Sequence, residues 1–268
     1  MPLALPEVDD TQLARSPLAI VVCQLRYEQN IAVSDGDVVL SIHESLGGRD
    51  GPYPRIDPIQ MASAQLDFRP GLAMAQPVSV GSAPLRGWRL RSETGDWAVS
   101  VMPDHVALET SAYQRWSGDF RDRVVALLEA FPGHAEPRIE ERLGLRYVNR
   151  LSEDEVRTPE DWVKFVSSEL LGPVGSQDWG PGVETFQEQV QFDLGNDLHC
   201  VFRQGLIPAD SGVGFEGYLL DYDVFRQSPR RYDLADLAAT LDSMNQAALA
   251  LFQKSLTQTY LRALRGEA

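Results

Sequence analysis

The stretch "ERLGLRYVNR", residues 141–150, alternates apolar and polar side chains and therefore predicts a β-strand. The period of two places Leu143, Leu145 and Tyr147 on one face, where they would join a core. Asn149 falls on the same side, and we expect it to find hydrogen-bond partners by capping a loop or bulge. The opposite face carries what we call the arginine row: Arg142, Arg146 and Arg150.

The elements that follow this strand repeat the order of those that precede it. Residues 12–133 indicate a strand, a helix, a Gly/Pro-rich loop, three strands and a helix, and residues 137–266 indicate the same order. The triplet "LRY" at residues 25–27 recurs at residues 145–147. Because three-residue matches occur by chance, the order of elements is the stronger sign of an internal duplication. We predict a single domain built from these two pseudo-repeats.

The individual elements indicate an α+β fold. Residues 88–110 alternate with two turns between them, which predicts an antiparallel meander of three strands. Helices are predicted at several apolar stripes, among them residues 158–172, capped by Thr158, and a long one from Asp233 that Thr257 re-caps. The expected architecture has two β-α-β-β-β-α halves, whose antiparallel sheets join edge to edge and whose helices pack on one face. Two separate lobes are the alternative.

The Gly/Pro-rich connection of the first half is long. Residues 47–87 contain six prolines and six glycines, which favours a surface connection without long regular elements. Within it, only residues 59–68 are a candidate for an extra strand.

The composition narrows the functional class. The 268 residues are 43% hydrophobic and 24% charged, which is typical of a globular chain. The net charge of −15 repels phosphate backbones, so nucleic acid is not an expected partner. The apolar run of residues 18–23 is far shorter than the roughly 20 residues that cross a bilayer. The opening "MPLALPEVDD" lacks the basic segment of a secretory signal, so we expect a cytoplasmic protein with no membrane partner.

Catalytic and cofactor motifs do not emerge from the sequence. "GVGFEG", residues 212–217, has the glycine spacing of dinucleotide sites, but a strand is predicted after it where that chemistry needs a helix. The four histidines are isolated, and Cys23 and Cys200 fit buried positions better than a disulfide. We therefore predict no metal, no cofactor and no catalytic residue, and lean against an enzyme.

Candidate binding residues lie on the arginine-bearing face and in one loop. Arg26 occupies the face of the first strand that corresponds to the arginine row, and together they would grip an anion or an acidic partner segment through guanidinium contacts. Trp179, in the loop "SQDWGPG", is a candidate contact residue, with folding back over its own domain as the alternative.

The structural interpretation of the arginines is the one we favour. Cross-strand ion pairs contribute about 0.2–1 kcal/mol each, and an acidic chain has many counter-charges. Four acids fall on similar faces: Glu28, Glu109, Asp221 and Asp223.

Three stretches carry a family resemblance: "RLGLRYVNR", "SPLAIVVCQLRYE" and "LETSAYQRWSGDF". They resemble an uncharacterised, sporadically distributed bacterial protein family of about this length, with an LGLRYxNR motif. The resemblance spans nearly the whole chain and implies no activity, cofactor or catalytic residue. The patchy distribution that it implies is typical of horizontally transferred modules, such as phage-defence or accessory gene clusters.

These observations favour a non-enzymatic binding or accessory protein that presents a sheet face and two Gly/Pro-rich loops to a protein partner. The alternative is a sensor or enzyme for a small anionic metabolite or nucleotide, with a pocket between sheet and helices. The sequence leaves the oligomeric state open, a homodimer included.

Overall fold

The computed structural model of the protein describes residues 1–60, 85–135, 137–210 and 214–267, and it has an α+β fold. The strands of the described ranges are β1 Leu18–Tyr27, β2 Arg55–Gln60, β3 Leu85–Arg91, β4 Trp97–Met102, β5 His105–Thr110, β6 Ile139–Leu151, β7 Gln187–Gly195, β8 Leu198–Pro208, β9 Phe215–Arg226 and β10 Arg230–Arg231. The α-helices of these ranges are α1 Gly36–Ser45, α2 Arg121–Ala130, α3 Pro132–Ala135, α4 Ser168–Leu171, α5 Leu234–Ser255 and α6 Gln258–Arg265. No helix in this part of the chain is long and apolar enough to span a membrane.

One antiparallel sheet runs through both halves of the chain. The strand order is β2-β3-β4-β5-β1-β6-β9-β8-β7, and β10 pairs with β6 beside this path. The edge-to-edge junction is the antiparallel pair of β1 and β6. On either side of this junction the lead strand pairs with the last strand of a meander, β1 with β5 and β6 with β9. The internal duplication itself stays a prediction.

The core lies between the sheet and the helices. The face of β1 predicted to be buried is buried, and Leu143 and Leu145 of β6 are fully covered. Helix α5 packs on β6 and β9, and α2 packs on α5. Helix α5 therefore lies over the centre of the sheet, beside the β1–β6 junction.

The two cysteines lie in this core. Cys23 and Cys200 are buried and unpaired by any disulfide, as predicted. Burial raises the pKa of each thiol to about 12. Neither thiol is therefore poised to act as a nucleophile at neutral pH.

The prediction of one continuous helix over residues 158–172 is wrong. Thr158 does cap the first turn, but the segment forms a 3-10 helix, Pro159–Lys164, and then the short α4. The helix ends at Phe165, because its carbonyl accepts a hydrogen bond of 2.9 Å from the N–H of Thr257. A backbone group that the helix would need is thus used by the junction between α5 and α6.

Other predicted elements are close to their expected places. The meander is formed by β3, β4 and β5. Asp233 caps α5, and Thr257 re-caps the chain to start α6. The extra strand of the first half is β2, which overlaps the predicted 59–68 only at its end, and residues 61–68 lie outside the described ranges.

Candidate functional site

The candidate site is the face of the sheet opposite the helices, which we call the open face. Within the described residues, strand registers place eight arginines and five carboxylates on it, and two further carboxylates, Glu216 and Asp104, lie beside Arg150 and Arg26. The positions set by the registers are Arg26, Arg55, Arg89, Arg91, Arg142, Arg146, Arg150, Arg203, Asp57, Glu109, Asp193, Asp221 and Asp223. Apolar residues lie between them: Val22, Val148, Val201, Leu219 and Phe225. The described part of this face is therefore close to electrically balanced, whereas the whole chain carries a net charge of −15.

Arg146 is held by a buried acid on the open face. Its Nε and Nη2 donate to the two carboxylate oxygens of Asp221, at 2.7 and 2.5 Å. Arg203 Nη1 lies 3.4 Å from the same Asp221 carboxylate. Asp221 is only 1% exposed, although it points away from the helices. The two guanidinium groups therefore cover it, and a charge so desolvated is stable only because it is paired.

Arg142 lies flat on the sheet. Its Nη2 donates to both oxygens of Asp223, at 2.8 and 3.0 Å. Its guanidinium carbon also lies 4.7 Å from the centre of the Phe225 ring, a cation–π arrangement. Gly144 makes room for it, because a β-carbon there would overlap the guanidinium group. The glycine of "LGLRY" is thus explained by the side chain that lies across it.

The two remaining candidate arginines are much more exposed. Arg150 donates to Glu216 at 2.5 Å, with 45% of its side chain exposed. Arg26 is 48% exposed, and its guanidinium is 3.9 Å from Asp104, beyond hydrogen-bonding distance. These two side chains can reach a partner without breaking a buried pair.

The first half of the sheet repeats the pairing of arginine with acid. Arg89 of β3 forms an ion pair with Glu109 of β5, across β4. The side chains of β4 at this point are the small Ala98 and Ser100, which let the arginine cross. Glu28 lies beyond the end of β1 and makes no ion pair with the described residues. Three of the four expected acids are therefore paired, as the structural interpretation predicted.

Asn149 is buried and points to the helix side, as predicted. Its Nδ2 donates to the carbonyl of Leu220 on β9, at 3.3 Å. Opposite it, β1 has a register shift between Leu18 and Ile20. The hydrogen bond of Asn149 thus goes to β9, whereas the irregularity is on the β1 side, so the expected capping of a loop or bulge stays a prediction.

Trp179 does not share a surface with the arginines. Its side chain is 73% exposed, so it does not fold back over its own domain. It precedes a 3-10 turn, Gly180–Gly182, in which Gly180 lies against Glu160 of the 3-10 helix Pro159–Lys164. Trp162 of that helix packs on Tyr218, which belongs to the buried face of the sheet. Trp179 therefore belongs to the helix layer.

Sequence reasoning missed a buried ionic cluster at one end of the sheet. Arg226 of β9 forms ion pairs with Glu140 of β6 and Asp236 of α5, and donates to Thr240 at 2.7 Å. Burial raises the pKa of Glu140 even though the positive charge of Arg226 opposes this shift. The cluster joins two central strands to α5. The alternation of side chains along β9 could have placed Arg226 on the buried face, together with Val224. A charged residue at the end of a strand is, however, normally predicted to be exposed to solvent.

Two grooves lie at the margins of the molecule. One of about 680 Å³ lies between the N-terminal segment and the start of α6, lined by Glu7, Lys254 and Arg265 among others. The other, of about 490 Å³, is lined by Arg138 and Arg231 among others. Neither lies between the sheet and the helices, where the alternative function expects a pocket. In the part of the chain that the structure describes, no group of three or more side chains is placed to hold a metal ion.

Comparison with known proteins adds no relative. No protein-family model matches the chain, and no significant match was found among curated proteins. The resemblance to a sporadically distributed bacterial family therefore stays a prediction.

Proposed function

We propose that this protein is a non-enzymatic binding protein that engages an acidic segment of a protein partner through the open face. The supporting observation is a concentration of arginines: eight lie on the described part of the open face of a chain of net charge −15, and the side chains of Arg26 and Arg150 among them are about half exposed. At physiological salt, charges more than about 8 Å apart are largely screened. The local charges of the open face, and not the net charge of the whole chain, would therefore act on an acidic segment that lies close to it.

The residue types of this face also support a protein interface. Arginine is enriched and lysine depleted in protein–protein interfaces. The open face follows this preference, since the two lysines of the chain, Lys164 and Lys254, lie in helical segments instead. Arg142 and Arg146 are held in place on the sheet by their ion pairs with Asp223 and Asp221. Arg26 and Arg150 would make the direct contacts, with Val22 and the other apolar residues excluding water between them.

The partner that we propose is encoded beside this protein in an accessory or phage-defence gene cluster. This part of the proposal depends on the family resemblance described above. If the proposal is right, the candidate partners are limited to the products of the neighbouring genes, and only these need to be expressed.

The test is co-expression with the products of those neighbouring genes, followed by purification through a tag on this chain. We expect one product to co-purify and to be released as the salt concentration rises. The double variant Arg26→Glu/Arg150→Glu should lose it, because both exposed arginines then repel an acidic segment. Arg49→Glu is the matched control, since Arg49 is an exposed arginine in the turn after α1. The proposal fails if no product co-purifies, or if the double variant retains it.

A further inference from the structure

The outer edge of β7, the last strand of the sheet, has backbone groups directed away from the protein. The N–H of Leu206 donates to the carbonyl of Phe186 at 2.9 Å, so even-numbered residues of this segment face β8. The N–H of Leu3 approaches from outside and donates to the carbonyl of Asp193 at 2.8 Å. The odd-numbered residues between them therefore point their N–H and C=O groups outward: Gln187, Gln189 and Gln191.

In the described part of the chain, the stretch of this edge before Asp193 lacks proline, lysine and a covering segment, which are three of the features that protect edge strands. Edge strands are commonly protected by proline, lysine or a covering segment. β2, at the other end of the sheet, contains Pro58. β7 contains neither proline nor lysine, and its three outward glutamines are exposed. Among the described residues, Leu3 is the one whose backbone bonds this edge from outside, and it does so only at Asp193.

We propose that β7 pairs antiparallel with β7 of a second copy of this chain, with Gln189 on the two-fold axis. In this register Gln187 stands opposite Gln191 of the second copy, and each pair of outward residues exchanges two backbone hydrogen bonds. The pairing stops before Asp193, where Leu3 already occupies the edge. The two sheets would then continue into one.

The side chains in this register are complementary to themselves. On one face glutamines meet glutamines, and an amide can both donate and accept. On the other face Phe192 stands opposite Phe186 of the second copy, and Glu188 stands opposite Val190, so no like charges are directly opposed. The carboxylate of Glu188 already accepts a hydrogen bond of 2.7 Å from Gln204. This self-complementarity is why a second copy, and not a foreign strand, is the occupant that we propose.

The inference is independent of the proposed function, because dimerisation and partner binding should respond in opposite directions to the salt concentration. Two copies of net charge −15 repel each other, so added salt should strengthen the dimer. Binding of an acidic partner to the open face should weaken under the same change. At high salt, where the added negative charge is screened, the variant Arg26→Glu/Arg150→Glu should dimerise like the wild type, since both arginines lie on β1 and β6, away from the edge.

The first experiment is sedimentation equilibrium of the full chain over about 1–100 μM. We expect the wild type to dimerise and Gln189→Pro to weaken the dimer about tenfold or more, because proline removes the outward N–H on both copies. Gln189→Thr is the control, since it also removes the glutamine side chain but keeps the N–H, and it should dimerise much more tightly than the proline variant. A wild type that stays monomeric throughout, or a proline variant that dimerises as well as the threonine variant, overturns the proposal.

A charge exchange tests the register itself and does not depend on the proline variant folding. Position 189 meets its own copy on the axis, so Gln189→Lys alone and Gln189→Glu alone should each dimerise more weakly than the wild type. An equimolar mixture of the two should form mixed dimers more tightly than either variant forms its own. Equal dimerisation of the mixture and the single variants contradicts a two-fold axis at Gln189. Circular dichroism melting of every variant shows that the comparison is between folded chains.

Discussion

At the scale of the residue, the arginine row is explained first by Asp221. In the part of the chain that the structure describes, this carboxylate is almost fully buried on a sheet face that carries no helix, and Arg146 and Arg203 are the groups that neutralise it. A buried charge without a partner costs several kcal/mol, so the arginine is needed for the sheet before it is available for any ligand. The motif therefore encodes a polar sheet face, and its role in binding stays a proposal.

Replacing Arg146 with alanine should lower the free energy of unfolding by about 1–3 kcal/mol, because Asp221 then keeps only the 3.4 Å contact with Arg203. The matched variant is Arg150→Ala, whose ion pair is about half exposed and should be worth less than about 0.5 kcal/mol. Urea unfolding of both variants measures the difference. Equal losses in the two would show that burial of Asp221 does not depend on Arg146.

The sequence predicted the faces of these residues but not their partners. Side-chain alternation is a local property of a strand, so the sides occupied by Arg146 and Asn149 could be read directly. The choice of acid could not: Arg146 stands opposite Asp223 in the register, yet it bonds Asp221 and leaves Asp223 to Arg142. That choice depends on how the side chains lean along the strand, which no pattern of residues records.

At the scale of the element, hydrogen bonds between segments that are distant in the chain determine where helices end and how they pack, and sequence patterns do not record these bonds. The capping signal of Thr158 was read correctly, but the helix after it is cut short by a hydrogen bond from Thr257, far along the chain. Asp242 of α5 is a second link of this kind. It accepts hydrogen bonds from Trp116, at 2.8 Å, and from Nε and Nη2 of Arg121, at 2.7 and 2.8 Å. The carboxylate of Asp242 therefore links α5 to the start of α2.

The substitution Asp242→Asn should make the free energy of unfolding fall less steeply as the pH is lowered. The hydrogen bond from Arg121 is the main cause that holds the pKa of Asp242 below its usual value; burial opposes it, and the hydrogen bond from Trp116 adds a smaller lowering effect. A carboxyl whose folded pKa is depressed contributes stability that is present above its unfolded pKa, about 4, and lost as pH falls through the folded pKa. Because 44% of the side chain is exposed, screening limits this contribution to about 1 kcal/mol.

The measurement is the free energy of unfolding in urea at a series of pH values from about 5 down to about 3. The variant should start lower than the wild type and approach it as the pH falls. Asp154→Asn, in an exposed loop, serves as the control and should track the wild type at every pH. A constant gap between Asp242→Asn and the wild type across this range would mean that the Arg121 contact does not depend on the charge of Asp242.

At the scale of the whole molecule, the two halves share one sheet. β1 and β6 pair along most of their lengths, and the core helix α5 lies on β6 while α2, from the first half, packs on α5. Sequence patterns predicted this edge-to-edge joining because each half alone would leave a long apolar strand unpaired. Two halves that share both a strand pair and a helix contact should unfold together.

Leu145→Ala tests that cooperativity at the centre of the sheet. Leu145 is fully buried in β6, between Cys23 of β1 and Val224 of β9. Truncating it leaves a cavity and should lower the free energy of unfolding by about 2–5 kcal/mol, whereas Leu40→Ala, at a half-exposed position of α1, should cost far less. Hydrogen exchange locates the effect: protection should fall by the same free energy in β5, which belongs to the first half, and in β8, which belongs to the second. If β8 loses protection while β5 keeps it, the halves unfold separately, and the continuous sheet joins two lobes that are stable independently.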